Sequence, residues 1–441
     1  MSVDGPSIAT GGEPDRAEDG PVSGAATATL AISMGIAVPA AVFGKAVLGV
    51  ALVPAVAVVL MALVRSRFRQ MVLRAALGPT GLAFALFCGV ALISVLTSEH
   101  TLKSLEAWAR TAAFMLFGLA ATHMLATDRN ALDLARRGLL LATIVALAYV
   151  VVAIFVTEAV LALIALGTEI RQPLSLNFKW FASAVVCLAP VALWAASGPG
   201  LLLKALRLGL LVLAAMAIWL DGREISRAAI LGIVAAAVLL GVVGLVGRLS
   251  RRARALAVAG LLASAIASAT AVTVSLPKVQ GDGPLQFGIP ESLVDGHRQI
   301  IWAFTVDATK QNPVFGHGPN SINMIEGANE RIPRFLANSL RGRATFLPSH
   351  PHNWIYEIAS ETGLVGLVAL CIGLVLLLRR AMILALNGSR AGWAVVALFG
   401  AFWGSSLVNF SIWSAWWQLT FIVLLSILMA AASPSVPRAQ R

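Results

Sequence analysis

The chain is 441 residues long and 59% apolar; only 12% of its residues are charged, against roughly 25% in an average soluble domain. A soluble fold of that composition would leave large apolar patches wet, so lipid is the expected solvent and an all-α integral membrane protein the expected class. The net charge of +12 is carried largely in short basic clusters between apolar runs, the pattern that orients membrane helices, and this argues against nucleic acid as a partner.

Residues 1–23 are rich in Gly, Asp, Glu, Pro and Ala without hydrophobic periodicity, and read as a disordered cytoplasmic tail rather than a signal peptide. The first helix then acts as an uncleaved insertion signal. A bilayer is crossed by about 20 apolar residues. Such runs lie at 25–44, 46–64, 80–97, 108–126, 139–158, 180–197, 203–220, 228–247, 255–275, 354–378, 391–409 and 412–431. Nine of these about twelve transmembrane helices fall within 24–275 and three within 354–431, before a short tail at 432–441. The first two run together around Gly44–Lys45, and 159–179 has room for an interfacial segment.

On one side of this register gather Arg65, Arg67, Arg69, Arg74, Arg129, Arg136, Arg137, Lys204, Arg207, Arg248, Arg251, Arg252, Arg254, Arg379, Arg380, Arg390, Arg438 and Arg441. The short loops opposite hold fewer cations, among them Lys45, Lys103, Arg110, Arg171, Lys179, Arg223 and Arg227. The richer side is expected to be cytoplasmic, with both termini inside. Cys88, Cys187 and Cys371 all sit in apolar runs, which implies no disulfide framework and no metal-ligand spacing. No internal repeat supports a repeat-built transporter.

Residues 276–353 break the rhythm as a long hydrophilic loop on the outer side. Its start, with Gly281, Gly283, Pro284 and Pro290, reads as irregular. Helical spacing follows at 295–311 and is ended by Asn312-Pro313, and a second amphipathic piece is expected near 327–342.

Four outward features carry candidate chemistry. His350-Pro351-His352-Asn353 precedes the tenth span, where an imidazole can be neutral and accept a proton, or simply be solvated. Glu357 and Glu361 follow four residues apart, on one helix face, and either can hold the second ring nitrogen of the histidine. Asp221-Gly222-Arg223-Glu224-Ile225-Ser226-Arg227 forms a very short outer loop whose arginines suit either an ion pair with its own acids or a bidentate phosphate clamp. Arg298, beginning the loop helix beside His297, can reach the same anion or be a solvated helix charge. Arg331, Arg334, Arg341 and Arg343 form a face for anionic headgroups. Trp413, Trp416 and Trp417 read as an interfacial belt. GxxxxGK[ST], HExxH and CxxC motifs are absent, so nucleotide hydrolysis and zinc chemistry gain no support.

Three of these stretches together resemble the O-antigen ligase and polymerase superfamily. His352-Asn353, nine residues, then Gly363-Leu364-Val365-Gly366 looks like its H-[NSQ]-x9-G-x-x-G motif. Arg227-Ala228-Ala229-Ile230-Leu231 resembles its R-x3-L element, and Arg298…Trp302…Asn312-Pro313…Gly316…Gly318 is similar to the stretch that precedes the histidine. The likeness covers about 220–370 and implies a GT-C-like glycosyltransferase in the bacterial inner membrane with a periplasmic site. It implies an undecaprenyl-diphosphate-linked glycan as donor and an acceptor hydroxyl, lipid A–core for a ligase.

On that resemblance His352 is the general base, supported by Asn353, His350, Glu357 and Glu361, while Arg227, Arg223 and Arg298 bind the departing diphosphate. Gly363 and Gly366 would allow close helix packing. A diphosphate leaves readily, and the first outer loop lacks the metal-binding Asp of many polyprenyl-dependent glycosyltransferases, so neither metal nor cofactor is expected. An O-antigen polymerase and a protein O-oligosaccharyltransferase share this donor. A single large outer loop and the short end after the last span favour the ligase. A transporter of an anionic lipid, from a different class, would place charges near mid-membrane.

Overall fold

In the computed structural model, residues 23–161, 177–219, 226–278, 286–332 and 344–433 are described. They form α1 (Gly24–Ala40), α2 (Lys45–Val64), α3 (Ser66–Ala76), α4 (Pro79–Leu96), α5 (Thr101–Thr127), α6 (Arg129–Phe155) and α7 (Lys179–Ala195). Then come α8 (Leu201–Trp219), α9 (Arg227–Arg248), α10 (Arg251–Val274), α11 (Gly296–Gln311), α12 (Trp354–Leu386), α13 (Arg390–Ser405) and α14 (Ala415–Ala432). Among the described residues ten helices are long and apolar enough to cross a membrane, which makes this an all-α, multi-pass membrane protein. Every apolar run of the sequence coincides with a helix, although α7 and α13 are shorter, at 17 and 16 residues.

Helix ends depart from the apolar runs where polar residues prolong a helix. α5 starts at Thr101 and α6 at Arg129, and α12 continues to Leu386. Asp128 caps α6, its Oδ1 accepting from the Ala131 amide at 3.0 Å. α3 is an element the apolar runs do not reveal. Its arginines face out while Phe68 and Val72, four residues apart, turn inward.

The bundle is held by close approaches at small residues. α9 lies against α13 so tightly that a Cβ at Gly400 would stand 2.6 Å from Ala236 Cα, and one at Gly232 would stand 2.8 Å from the Ala401 carbonyl. α4 packs on α12 and α5 on α14. α10 has no buried residue and meets the bundle through its ends, where Arg254 Nε donates to the Val246 carbonyl at 3.2 Å and Thr273 and Tyr356 share a hydroxyl contact at 3.0 Å.

In the 276–353 segment, α11 occupies the stretch whose spacing is helical. The second amphipathic helix, expected near 327–342, is not what its described part forms. Residues 327–332 turn and then run extended beside 344–347, with Ile332 N donating to Ala344 O (3.0 Å) and Leu347 N to Ala328 O (2.8 Å). Ile332 covers Ile300 of α11 in that position. Residues 333–343 lie outside the described residues. Among the described residues the only β pairing is the isolated Arg331–Thr345 bridge.

Candidate functional site

The α11–α12 region is built as one hydrogen-bonded unit. Asp295 caps α11, its Oδ1 accepting from Arg298 N at 3.0 Å while Oδ2 lies 3.5 Å from Arg298 Nε. Trp302, buried on the next turn, donates through Nε1 to the Pro351 carbonyl at 2.9 Å and so fixes the peptide between the two histidines. After α11, Pro313–Gly318 crosses α12 as a strap. Leu364 N donates to Pro313 O (2.8 Å), His317 N to Ser360 O (2.9 Å) and Gly318 N to Glu361 O (2.8 Å).

Those last bonds exist because α12 breaks at Gly363. Its φ of 70° and ψ of 177° interrupt the helix and free the groups the strap uses. A Cβ there would overlap the Val314 carbonyl, and one at Gly316, φ 68°, would overlap the backbone at Ser360–Glu361. Gly363 thus serves a strap-to-helix contact rather than the helix-to-helix packing expected of it. The stretch before the histidine and the glycines after it are two sides of one joint.

His352 itself has φ 55°, a left-handed conformation uncommon outside glycine. Its Nδ1 lies 2.9 Å from the Asn409 carbonyl, and His350 Nε2 lies 3.2 Å from the same oxygen, with the two rings 3.9 Å apart. A carbonyl only accepts, so Nδ1 of His352 carries the proton and Nε2 keeps its lone pair. Burial holds both imidazoles neutral. It draws His352 below its ordinary value against the Asn409 bond, with the Arg298 charge adding to the effect. It takes His350 to about 3, helped by the charges of His352, Lys45 and Arg298.

The partner of His352 is therefore a backbone carbonyl and neither expected carboxylate. Glu357 is buried and accepts from Ser411 Oγ and from Ile412 N at 2.9 Å. Glu361, also buried, accepts from Asn320 N (2.8 Å), Ile322 N (3.1 Å) and the Trp413 indole. Each oxygen meets donors that would be orphaned without it. Together the two acids tie α12 to the 317–322 loop and the 409–413 turn. Trp413 and Trp417 are spent the same way, on Glu361 and on Ser406 Oγ (2.9 Å), and with Trp416 they lie in the core rather than in an exposed belt.

Asn353 caps α12, its Oδ1 accepting from Ile355 N at 3.0 Å and Tyr356 N at 3.4 Å. Asn353→Ala should lower stability by about 1 kcal/mol, with Asn353→Ser nearly neutral. Thermal unfolding in one detergent checks this, and equal midpoints for the two variants would deny the cap its role.

Arg227 opens α9 behind the Ser226 cap and is exposed. The α9–α13 contact at Gly232 and Ser405 sets this end of α9 beside the 405–409 turn. Arg331 is exposed, and Arg223, Arg334, Arg341 and Arg343 lie outside the described residues. Two groups here have no marker in the expected motifs. One is Asn409, whose carbonyl holds both histidines. The other is exposed Lys45, whose Nζ stands 5.0 Å from the Phe410 ring, 5.3 Å from Trp416 and 6.0 Å from Trp180. Its only sequence signal is a cation at the junction of the first two apolar runs.

Comparison with known proteins locates the likeness in the same region. Residues 207–371 match the family model described as "O-Antigen ligase". A Rickettsia prowazekii protein named "Putative polysaccharide ligase" is 26% identical over 140 residues, 32% of this chain and 33% of the relative. Similar stretches in Rickettsia typhi and Rickettsia felis proteins of that name are 26% and 25% identical. The chain covers about a third of the length of these relatives. The resemblance drawn from His352, Arg227 and the 298–318 stretch therefore holds: over residues 207–371 this all-α membrane protein matches the O-antigen ligases.

Proposed function

We propose that the chain is a glycosyltransferase of the O-antigen ligase type, moving a glycan from undecaprenyl diphosphate to a sugar hydroxyl of lipid A–core. The site would face the periplasm from the bacterial inner membrane, with both termini cytoplasmic. The observation that supports this most is the His352 imidazole, neutral, turned by Asn409 so that Nε2 has no hydrogen-bond partner among the described residues, with Arg298 close enough for its charge to be felt.

In the reaction the acceptor oxygen attacks the anomeric carbon of the donor glycan as its proton passes to His352 Nε2. The bond from that carbon to the diphosphate oxygen breaks, and its electron pair leaves with the diphosphate. Arg298, Arg227 and Arg223 are the groups proposed to hold that growing charge. The leaving group needs no added proton, so metal-independent transfer is expected. A single displacement inverts the anomeric configuration. Purified protein given the donor, lipid A–core and EDTA tests the assignment. Extended lipid A–core supports the ligase, whereas lengthening of the donor glycan would make the chain a polymerase.

The histidine also sets a pH dependence. Protonation removes the lone pair that does the work, and the buried imidazole protonates below the usual 6.5. Transfer rate should stay near its plateau as pH falls through 6.5 and drop only at more acid values. A rate–pH profile measured with saturating donor checks it, and half-maximal loss above that value would contradict a buried neutral base.

A further inference from the structure

Lys45 is a cation at the candidate site that the proposed mechanism does not yet use. It opens α2 directly after Gly44, at the end of the bundle where the histidines lie. Three rings from three separate segments surround its ammonium: Trp180 of α7, Phe410 of the 405–414 turn and Trp416 of α14. Phe410 is the residue after Asn409, so one turn holds both imidazoles and one wall of the cage.

Aromatic faces attract a cation through their quadrupoles and occupy none of its N–H donors. Among the described residues Lys45 has no carboxylate partner and no hydrogen-bond acceptor. Its three N–H groups are held in place and left unspent. A strut would not need this arrangement, because a carboxylate or a carbonyl would hold the end of α2 and satisfy the donors together. Nearby, the Lys45 and Arg298 charges both act on His350, and Asp295 is the acid already placed beside Arg298. The buried acids Glu357 and Glu361 are spent on Ser411, Ile412, Asn320, Ile322 and Trp413.

We propose that the Lys45 ammonium, caged by Trp180, Phe410 and Trp416 beside the His350–His352 pair, binds a phosphate of the diphosphate donor. This rests on the glycosyl diphosphate reading above and adds a contact from the N-terminal half of the chain, outside the 207–371 match. A compact ammonium with three donors suits a phosphate whose other oxygens are taken by guanidinium groups.

Binding of undecaprenyl diphosphate to the full chain in phosphatidylcholine nanodiscs tests it. Lys45→Gln and Lys45→Met should bind about ten- to a hundredfold more weakly, the span expected for losing a charged hydrogen bond. Lys45→Arg should recover most of the affinity, and undecaprenol should be indifferent to all three. Equal affinity for wild type and Lys45→Gln would overturn the proposal. So would a loss that appears only in phosphatidylglycerol discs, which would assign Lys45 to a lipid headgroup. Should the neutral variants fail to fold, slowing of Lys45 acetylation in wild type by undecaprenyl diphosphate decides, and no slowing overturns the proposal. Wild type that binds no undecaprenyl diphosphate refutes the donor reading itself, a result distinct from loss of the lysine contact.

Discussion

His352→Ala should cost glycan transfer about 10²–10⁴ in rate, the usual worth of a general base, with donor binding little changed. The base takes a proton in the transition state and makes no ground-state contact with the diphosphate, so the loss belongs in kcat. Alanine carries a second effect, because position 352 has φ 55°. A non-glycine residue without a short polar side chain pays about 1–2 kcal/mol there. His352→Asn separates the two effects. Asparagine accepts the left-handed backbone but has no basic nitrogen, so it should unfold near wild type and transfer as poorly as the alanine variant. An active His352→Asn protein would remove the imidazole from the mechanism.

Gly363→Ala should be the most damaging change remote from the imidazole. A left-handed φ for alanine costs about 1–3 kcal/mol, and the overlap with Val314 adds about 1–3 kcal/mol of overpacking. The strap would lift, taking with it the 317–322 backbone that satisfies Glu361. Gly89→Ala in α4 is the control, since a Cβ there would meet nothing within 4 Å. Thermal midpoints should fall by several degrees for Gly363→Ala and little for Gly89→Ala, with activity lost only in the first. Indistinguishable midpoints would show that the break in α12 is not required.

What the sequence made legible follows physical periodicity. The twelve apolar runs all became helices because a membrane-length run of hydrophobic residues leaves the backbone no other means of satisfying its polar groups. The 295–311 spacing gave α11, and Glu357 and Glu361 do share one side of α12. α3 was hidden because an 11-residue amphipathic helix is too short and too polar for a membrane-length window. The acids' partners were hidden for another reason. They are largely backbone amides of residues 320, 322 and 412, and every residue but proline owns such a donor. The Asn409 carbonyl that orients His352 lies 57 residues away and has no side-chain signature. Nor could composition say whether Trp413, Trp416 and Trp417 faced lipid headgroups or the core. The glycines are legible as a motif, but their task depends on Pro313–Gly318 lying across the break in α12, a contact that no motif marks.

The central claim is a single displacement at the anomeric carbon, with His352 taking the acceptor proton. It is tested most directly by the anomeric configuration of the product. Purified protein in nanodiscs would receive a synthetic undecaprenyl-diphosphate glycan of known configuration and lipid A–core, with His352→Asn in parallel, and the new linkage would be read by NMR. The account predicts an inverted linkage from wild type and almost none from the variant. A retained configuration, or transfer by the variant at the wild-type rate, would contradict it.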